Sequence, residues 1–282
     1  MAALAPAAQA LGSAVTPPAA RAGTFLEAPS RVAEPFDLRV MSYNVLGQAH
    51  VLTGAYLRWV AQAIEREAPD VVGLQEVHRG TWMSRFADQI DELARLTGMT
   101  SHFEASLAGA GRDGRRWEVG NAVLTRGTIR AATVVPLPGS GEPRTLLDTE
   151  VEVRGQRLRF FVTHLSAWGR LTSPSRHLQV QHVAERLHGC GEPFVLVGDL
   201  NAPPEAPELR HLMAADLFRM CGDAMESTHR MTRQRLDYVF ADAGWQIVGE
   251  RIPRGGPSDH FPVVVDLRAR PKWSRYRPGY GS

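Results

Sequence analysis

At 282 residues with 44% hydrophobic content, the chain can bury one large core or two modest ones. Its formal charge is +2 and Lys272 is the single lysine, so net charge neither calls for a nucleic-acid partner nor excludes one. Two distant cysteines, Cys190 and Cys221, make neither a disulfide framework nor a zinc site, and no stretch is apolar for long enough to span a membrane.

Residues 1–35 are rich in Ala and Pro without periodicity and read as a disordered tail. Arg21 is the first basic residue, and Pro6 and Gln9 interrupt the apolar part, against the pattern of an export signal. A cytoplasmic monomer is expected, with export as the alternative. From Leu38 the pattern alternates between β-rich runs and amphipathic helical ones. Leu38–Leu46 reads as a strand, Tyr56–Glu67 as a helix with Leu57, Val60 and Ile64 on one face, and Val71–Gln75 as a buried strand. A second helix is expected over Met83–Leu96, with Phe86, Ile90, Leu93 and Leu96 on its stripe.

Five strand-like runs follow: Ser101–Leu107, Glu118–Leu124, Ile129–Pro136, Arg144–Arg154 and Arg157–His164. Gly-rich or Arg-Gly punctuation separates them. A helix over Ser175–Leu187, the strand Phe194–Val197 and a helix over Pro203–Ala215 come next. Leu236–Phe240, Trp245–Arg251 and Phe261–Leu267 finish the strand set. Hairpins mixed with helical crossovers imply two mixed sheets packed face to face with helices outside. One domain is expected over residues 36–269, followed by a flexible end at 270–282.

Polar residues break the apolar runs at their ends. Asn44 closes the first strand; alone it reads equally as a strand-end hydrogen bonder. Glu76 follows the buried run Val71–Gln75, and a carboxylate there must be paired, bind a metal or reach solvent. Oxygen donors of this kind suit Mg²⁺ or Mn²⁺. His164 ends Phe160-Phe161-Val162-Thr163, where a satisfied polar group is the plain reading. In Gly198-Asp199-Leu200-Asn201 the Asp and Asn alternate, so an extended chain points both the same way. Asp237 begins a strand and could orient an imidazole. Asp259 and His260 stand together after Gly255-Gly256-Pro257.

Taken in order, Asn44, Gln75-Glu76, Thr163-His164-Leu165, Gly198-Asp199-Leu200-Asn201, Leu236-Asp237-Tyr238 and Ser258-Asp259-His260 resemble the endonuclease/exonuclease/phosphatase superfamily, the metal-dependent phosphoesterases related to DNase I. The match covers about Leu38 to Leu267. The resemblance implies a four-layered α/β sandwich with the site at one end of the sheets. It implies Glu76 as principal Mg²⁺ ligand, with Asn44 adjoining and Asp259 completing or supporting the metal site. It makes His260, paired with Asp237, a general base or a stabiliser of phosphoryl oxygens. Asp199 would orient or activate water, Asn201 hold the phosphate, and His164 contact the phosphate or assist the leaving group. Asn121 falls at a site-rim strand, as a substrate contact or a structural turn.

The substrate is less legible, because fold does not fix it. His164 stands where the abasic-site endonuclease branch usually has Tyr, and Arg235-Leu236-Asp237 lacks the Cys of the inositol-phosphatase motif. The Arg-rich loops, with Arg116 and Trp117 in one and Arg230, Arg233 and Arg235 in another, suit a phosphate backbone and stacked base together with Trp168. The expected substrate is therefore a phosphodiester of a nucleic acid or nucleotide. A lipid-headgroup phosphodiesterase or phosphatase is the alternative, and a catalytically dead binding module the third reading.

Overall fold

The computed structural model describes residues 37–167, 173–213, 218–221 and 226–270. The expected tail at 1–35, the end beyond 270 and Trp168 lie outside the described residues.

Period-2 alternation decides how the layers stack. In β1 (Asp37–Asn44), Leu38 and Val40 join a core cluster between the sheets, while Met41 and Tyr43 join a second cluster beneath helices. The elements after it are α1 (Tyr56–Glu67), β2 (Val71–Arg79), α2 (Gln89–Thr97), β3 (Thr100–Ala110), β4 (Arg116–Thr125) and β5 (Thr128–Leu137). Then come β6 (Arg144–Val153), β7 (Gln156–His164), α3 (Pro174–His188), β8 (Phe194–Asp199) and α4 (Pro207–Met213). β9 (Phe218–Met220), β10 (Asp237–Asp242), β11 (Trp245–Arg251) and β12 (Val263–Ala269) complete the set.

One sheet runs β11-β12-β1-β2-β4-β3 and the other β5-β6-β7-β8-β10-β9, six strands each. β1 pairs parallel with β2 and β7 with β8; α1 and α3 make those crossovers, as parallel neighbours require. The inter-sheet core is built from Val40, Val71, Val123 and Val265 on one side and Phe160, Val162, Val197 and Val239 on the other. Leu57, Val60 and Ile64 of α1 and Ile90 and Leu93 of α2 cover the outside of the first sheet. Val180, Val183 and Leu187 of α3 and Leu209 and Leu212 of α4 cover the second. This is the four-layered sandwich, and each fully buried aliphatic or Phe side chain in it stabilises by roughly 1.5–3 kcal/mol.

The expected strands fall within a few residues of expectation, and four elements depart from it. α2 begins at Gln89, not Met83: Asp88 caps it by accepting from Asp91 N–H at 3.3 Å, and Phe86 is 54% exposed. Residues 81–86 form a tight turn instead, with Arg85 and Phe86 at φ of 58° and 60°. α4 starts at Pro207 after a turn, and residues 214–215 of its expected end are outside the described ones. β9 and a 3₁₀ segment at Gly47–Leu52 have no sequence signal that singled them out.

Candidate active site

Four of the chemistry-bearing side chains reach one place because they continue the inward parity of their strands. Asn44 shares a face with Leu38 and Val40, His164 with Phe160 and Val162, Asp199 with Val195 and Val197, and Asp237 with Val239. Each is the last or first residue of its strand, at the end where the inter-sheet core stops. Gly198 lets β7 and β8 approach closely there: a Cβ on it would lie 2.3 Å from the Thr163 carbonyl oxygen.

Glu76 breaks parity to join them. In β2, Val72 and Leu74 face the helices, and simple alternation would send Glu76 the same way. The β2–β4 register jumps between Leu74↔Ala122 and Val77↔Gly120, so Gln75 and Glu76 together oppose Asn121. Glu76 takes φ +57° in this bulge, and Val77 returns to the helix side. A bulge that re-aims one side chain beside a site is a known use of the device, and the left-handed backbone of a non-glycine residue is the strain it stores.

Asn44 ties the two sheets together. Its amide donates to Glu76 Oε1 at 3.0 Å and to Asp199 Oδ2 at 3.1 Å, while its Oδ1 accepts from Leu46 N–H. On the opposite side, His260 Nδ1 meets Asp237 Oδ2 at 2.8 Å. Ser258 fixes this segment by donating to the Asn44 carbonyl at 2.8 Å and accepting from His260 N–H. Asn201, at φ +49°, gives its amide to the Leu165 carbonyl and to His164 Nε2 at 2.9 Å. Its amide therefore holds His164 in place.

Electrostatics divide the two imidazoles. Burial lowers His164 well below the ordinary histidine range, with Arg144 and His260 adding to the effect, so it is neutral. Burial also opposes charge on His260, but Asp237 and Asp199 outweigh it and raise its pKa to about 10. Its Nε2 lies 3.7 Å from Asp199 Oδ2. Burial raises Asp199 and Glu76 above the usual carboxylate range, against the Asn44 hydrogen bonds. Asp259 is lowered, first by His229.

His229 and Arg144 are residues that sequence reasoning missed. His229 Nε2 lies 3.6 Å from Asp259 Oδ2, and its ring meets that of His260 edge-on at 4.6 Å. Thr232 N–H donates to His229 Nδ1 at 3.0 Å, so a neutral His229 carries its proton on Nε2, facing Asp259. Arg144 is 8% exposed, lines the pocket, and has a buried Nε with no partner. The pocket, about 480 Å³, is lined by Glu76, Asn121, Arg144, His164, Asp199, Asn201, His229, Asp259 and His260. Asn121 is buried and donates to the Thr145 carbonyl at 3.2 Å. Arg116 is exposed and lines neither this pocket nor the cleft beside it; its neighbour Arg115 lines that cleft.

The donor set fits a hard divalent cation. Glu76, Asp199 and Asp259 bring three carboxyl groups to one pocket, with Asp237 behind His260, against the positive charges of Arg144 and protonated His260. Two His/Asp groups, His229–Asp259–His260 and Asp199–Asp237–His260, place their ligand atoms within 4.8 Å of one another. The hydrogen bonds of His229 and the protonation of His260 leave their ring nitrogens without a free lone pair. Carboxylate oxygens of Glu76 and Asp259 are the open donors, and oxygen donors suit Mg²⁺ or Mn²⁺.

A two-sheet α/β sandwich with acids and imidazoles gathered at one end of the sheets is the DNase I-like class. The model of the Endonuclease/Exonuclease/phosphatase family matches residues 41–260. The chain belongs to that family, whose members are generally phosphoesterases. A solved endonuclease/exonuclease/phosphatase from Beutenbergia cavernae is 26% identical, over 83% of this chain and 72% of that one, with a TM-score of 0.67. The human Nocturnin catalytic domain with bound sulfate is 20% identical, over 85% and 98%, at 0.65. A mannosyl-6-phosphatase from Bacteroides thetaiotaomicron is 19% identical, over 82% and 99%, at 0.62. No curated protein matches the chain. Among the described residues no helix is long and apolar enough to cross a membrane.

Proposed function

We propose that this protein is a Mg²⁺- or Mn²⁺-dependent phosphodiesterase acting on a nucleic acid or nucleotide. The observation that carries the reading is the Asn44 bridge: one amide joins Glu76 of the first sheet to Asp199 of the second, in a pocket also lined by His260 with Asp237 behind it. Glu76 and Asp259 would hold the metal, which when bound neutralises charge developing on the phosphoryl and leaving oxygens.

The remaining work falls to the chain's own groups. His260, kept protonated by Asp237 and Asp199, donates from Nε2 to a phosphoryl oxygen. Asp199, its carboxyl raised by burial, takes the proton of the attacking water; an acid shifted toward working pH is the better base for that transfer. Asn201 and His164 form one hydrogen-bonded unit at the wall, against the phosphoryl group. Arg144, with its unpartnered buried Nε, supplies a further donor for an anionic substrate.

One observation favours the lipid-headgroup reading: Trp82 and Phe86 are 64% and 54% exposed on the turn after β2, an apolar pair of the kind a membrane-facing rim needs. The catalytic proposal is tested by assaying Glu76→Ala and His260→Ala on bis-p-nitrophenyl phosphate with Mg²⁺. Each is expected to lose at least ~10²-fold in kcat. Turnover that survives either change, or that persists in EDTA, would sink the assignment. A panel of single-stranded DNA, duplex DNA, RNA, sphingomyelin and phosphoinositides then separates the substrate classes.

A further inference from the structure

Beside the catalytic pocket lies a second cleft of about 490 Å³ that none of the catalytic groups enters. The two share Met83, Leu107 and Val119 in their linings, so they adjoin. Its walls are rings: Trp82 and Phe86 from the turn after β2, and Trp117 from the start of β4.

The rings are held in place by built features. Trp117 lies against its cross-strand partner Gly109, where a Cβ would come within 2.4 Å of the indole; only glycine leaves room for the ring to lie flat. The turn is pinned by His78 Nδ1 to Thr81 Oγ1 at 2.9 Å and Phe86 N–H to the Thr81 carbonyl at 2.8 Å. Ser84 adds hydrogen bonds to the Thr81 and Ala87 carbonyls. Two consecutive non-glycine residues, Arg85 and Phe86, sit at positive φ, an arrangement sustained only where the surroundings over-determine it. Arg115 lays its guanidinium 5.0 Å above the Phe86 ring and pairs with Asp113 at 3.3 Å.

We propose that this cleft is a subsite for a flat aromatic group of the substrate, a nucleobase attached to the phosphate in the catalytic pocket. The proposal rests on the phosphoesterase reading of that pocket and names the substrate class within it. Adjacency through the shared Met83, Leu107 and Val119 puts an occupant of the cleft within reach of a group bound in the pocket. Flat walls with one guanidinium suit a π-face. Hydrogen-bonding groups are sparse along the walls, so recognition is by stacking and tolerates any base. Trp82 and Phe86 are also exposed enough to meet an apolar chain, the alternative that octyl phosphate tests.

The test is calorimetric titration, with Mg²⁺ present and the probes checked intact afterwards, of adenosine 5′-monophosphate, ribose 5-phosphate, adenosine and octyl phosphate. Each is titrated into the wild-type protein and into the Trp82→Ala/Phe86→Ala double variant, with Trp82→Phe as the conservative control. The nucleotide is expected to bind roughly 5- to 150-fold tighter than ribose 5-phosphate, the range of one stacked base. The double variant should erase that advantage without weakening ribose 5-phosphate, and Trp82→Phe should restore most of it. Adenosine that binds while neither phosphate-only contact is detected supports the cleft and removes the phosphoesterase reading. Equal affinity for nucleotide and ribose 5-phosphate, an undiminished nucleotide affinity in the double variant, or an equal gain for octyl phosphate overturns the base subsite.

Discussion

Asp237→Asn isolates the contribution of the acid behind His260. Asp237 is fully buried and its Oδ2 meets His260 Nδ1 at 2.8 Å. With charge centres about 4 Å apart and an effective dielectric near 20, the pair interacts by roughly 4 kcal/mol. At 1.36 kcal/mol per unit that is a fall of about 3 units when the charge is removed, which brings His260 from about 10 back to the ordinary histidine range. Asparagine can still accept the Nδ1 proton, so the ring should stay in place. The sign follows directly: His260 would lose its proton, and its donor Nε2–H, across pH 7–8, where the native site keeps both. At pH 8 kcat/KM on bis-p-nitrophenyl phosphate is expected to drop by ~10²–10⁴-fold, with partial recovery toward pH 6. NMR titration of the His260 ring reads the shift independently of turnover. If the ring still titrates near its native value, or the pH–rate profile keeps its shape, the donor role assigned to His260 is wrong.

Two further changes probe the scaffold. Burial raises the Asp242 carboxyl to about 7, so between about pH 4 and 7 the unfolded chain is ionised while the fold keeps its proton, and stability falls as pH rises through that window. Asp242→Asn keeps the acceptor for Gly244 N–H and should add about 2–4 kcal/mol at pH 7.5 and flatten the dependence of Tm on pH; an unchanged slope in thermal melts from pH 4 to 7 counts against it. Gly198→Ala puts a methyl 2.3 Å from the Thr163 carbonyl oxygen and should cost about 2–4 kcal/mol, read as a lower urea midpoint; a wild-type midpoint would show that β7 and β8 can separate freely.

Most of the site was legible because it obeys strand parity. Asn44, His164, Asp199 and Asp237 each continue an inward-facing apolar series, and a reader counting by twos would place them together. Glu76 was legible as a residue worth noting but not as an inward one, since its direction depends on a bulge set by pairing with β4. His229 left only a weak signal, its place in the loop before Arg235-Leu236-Asp237. An isolated backbone bridge to His260 brings it in. Arg144 opens a strand, where an arginine ordinarily reads as surface. Phe86 misled for the opposite reason: it fits the stripe of Ile90, Leu93 and Leu96, yet the Asp88 cap starts the helix after it.

Four of the eight non-glycine residues at positive φ among the described ones border the two cavities, whereas Ala68, Arg85, Arg154 and Arg233 line neither. Leu46, Glu76 and Asn201 are all non-glycine residues at positive φ, and all three line the catalytic pocket. Phe86, also at positive φ, lines the adjoining cleft. Each costs of order 1–3 kcal/mol that regular strands would not spend. The cost is borne by a sandwich whose three apolar clusters are otherwise well formed. Strain at Leu46, Glu76, Asn201 and Phe86, beside two adjoining cavities, is what a site held open for a ligand demands. It also explains why sequence propensity fails there and succeeds in the layers around it: propensity describes what a segment prefers, and these segments are held against their preference by the Asn44 bridge, the β2 bulge and the pinned Thr81–Phe86 turn.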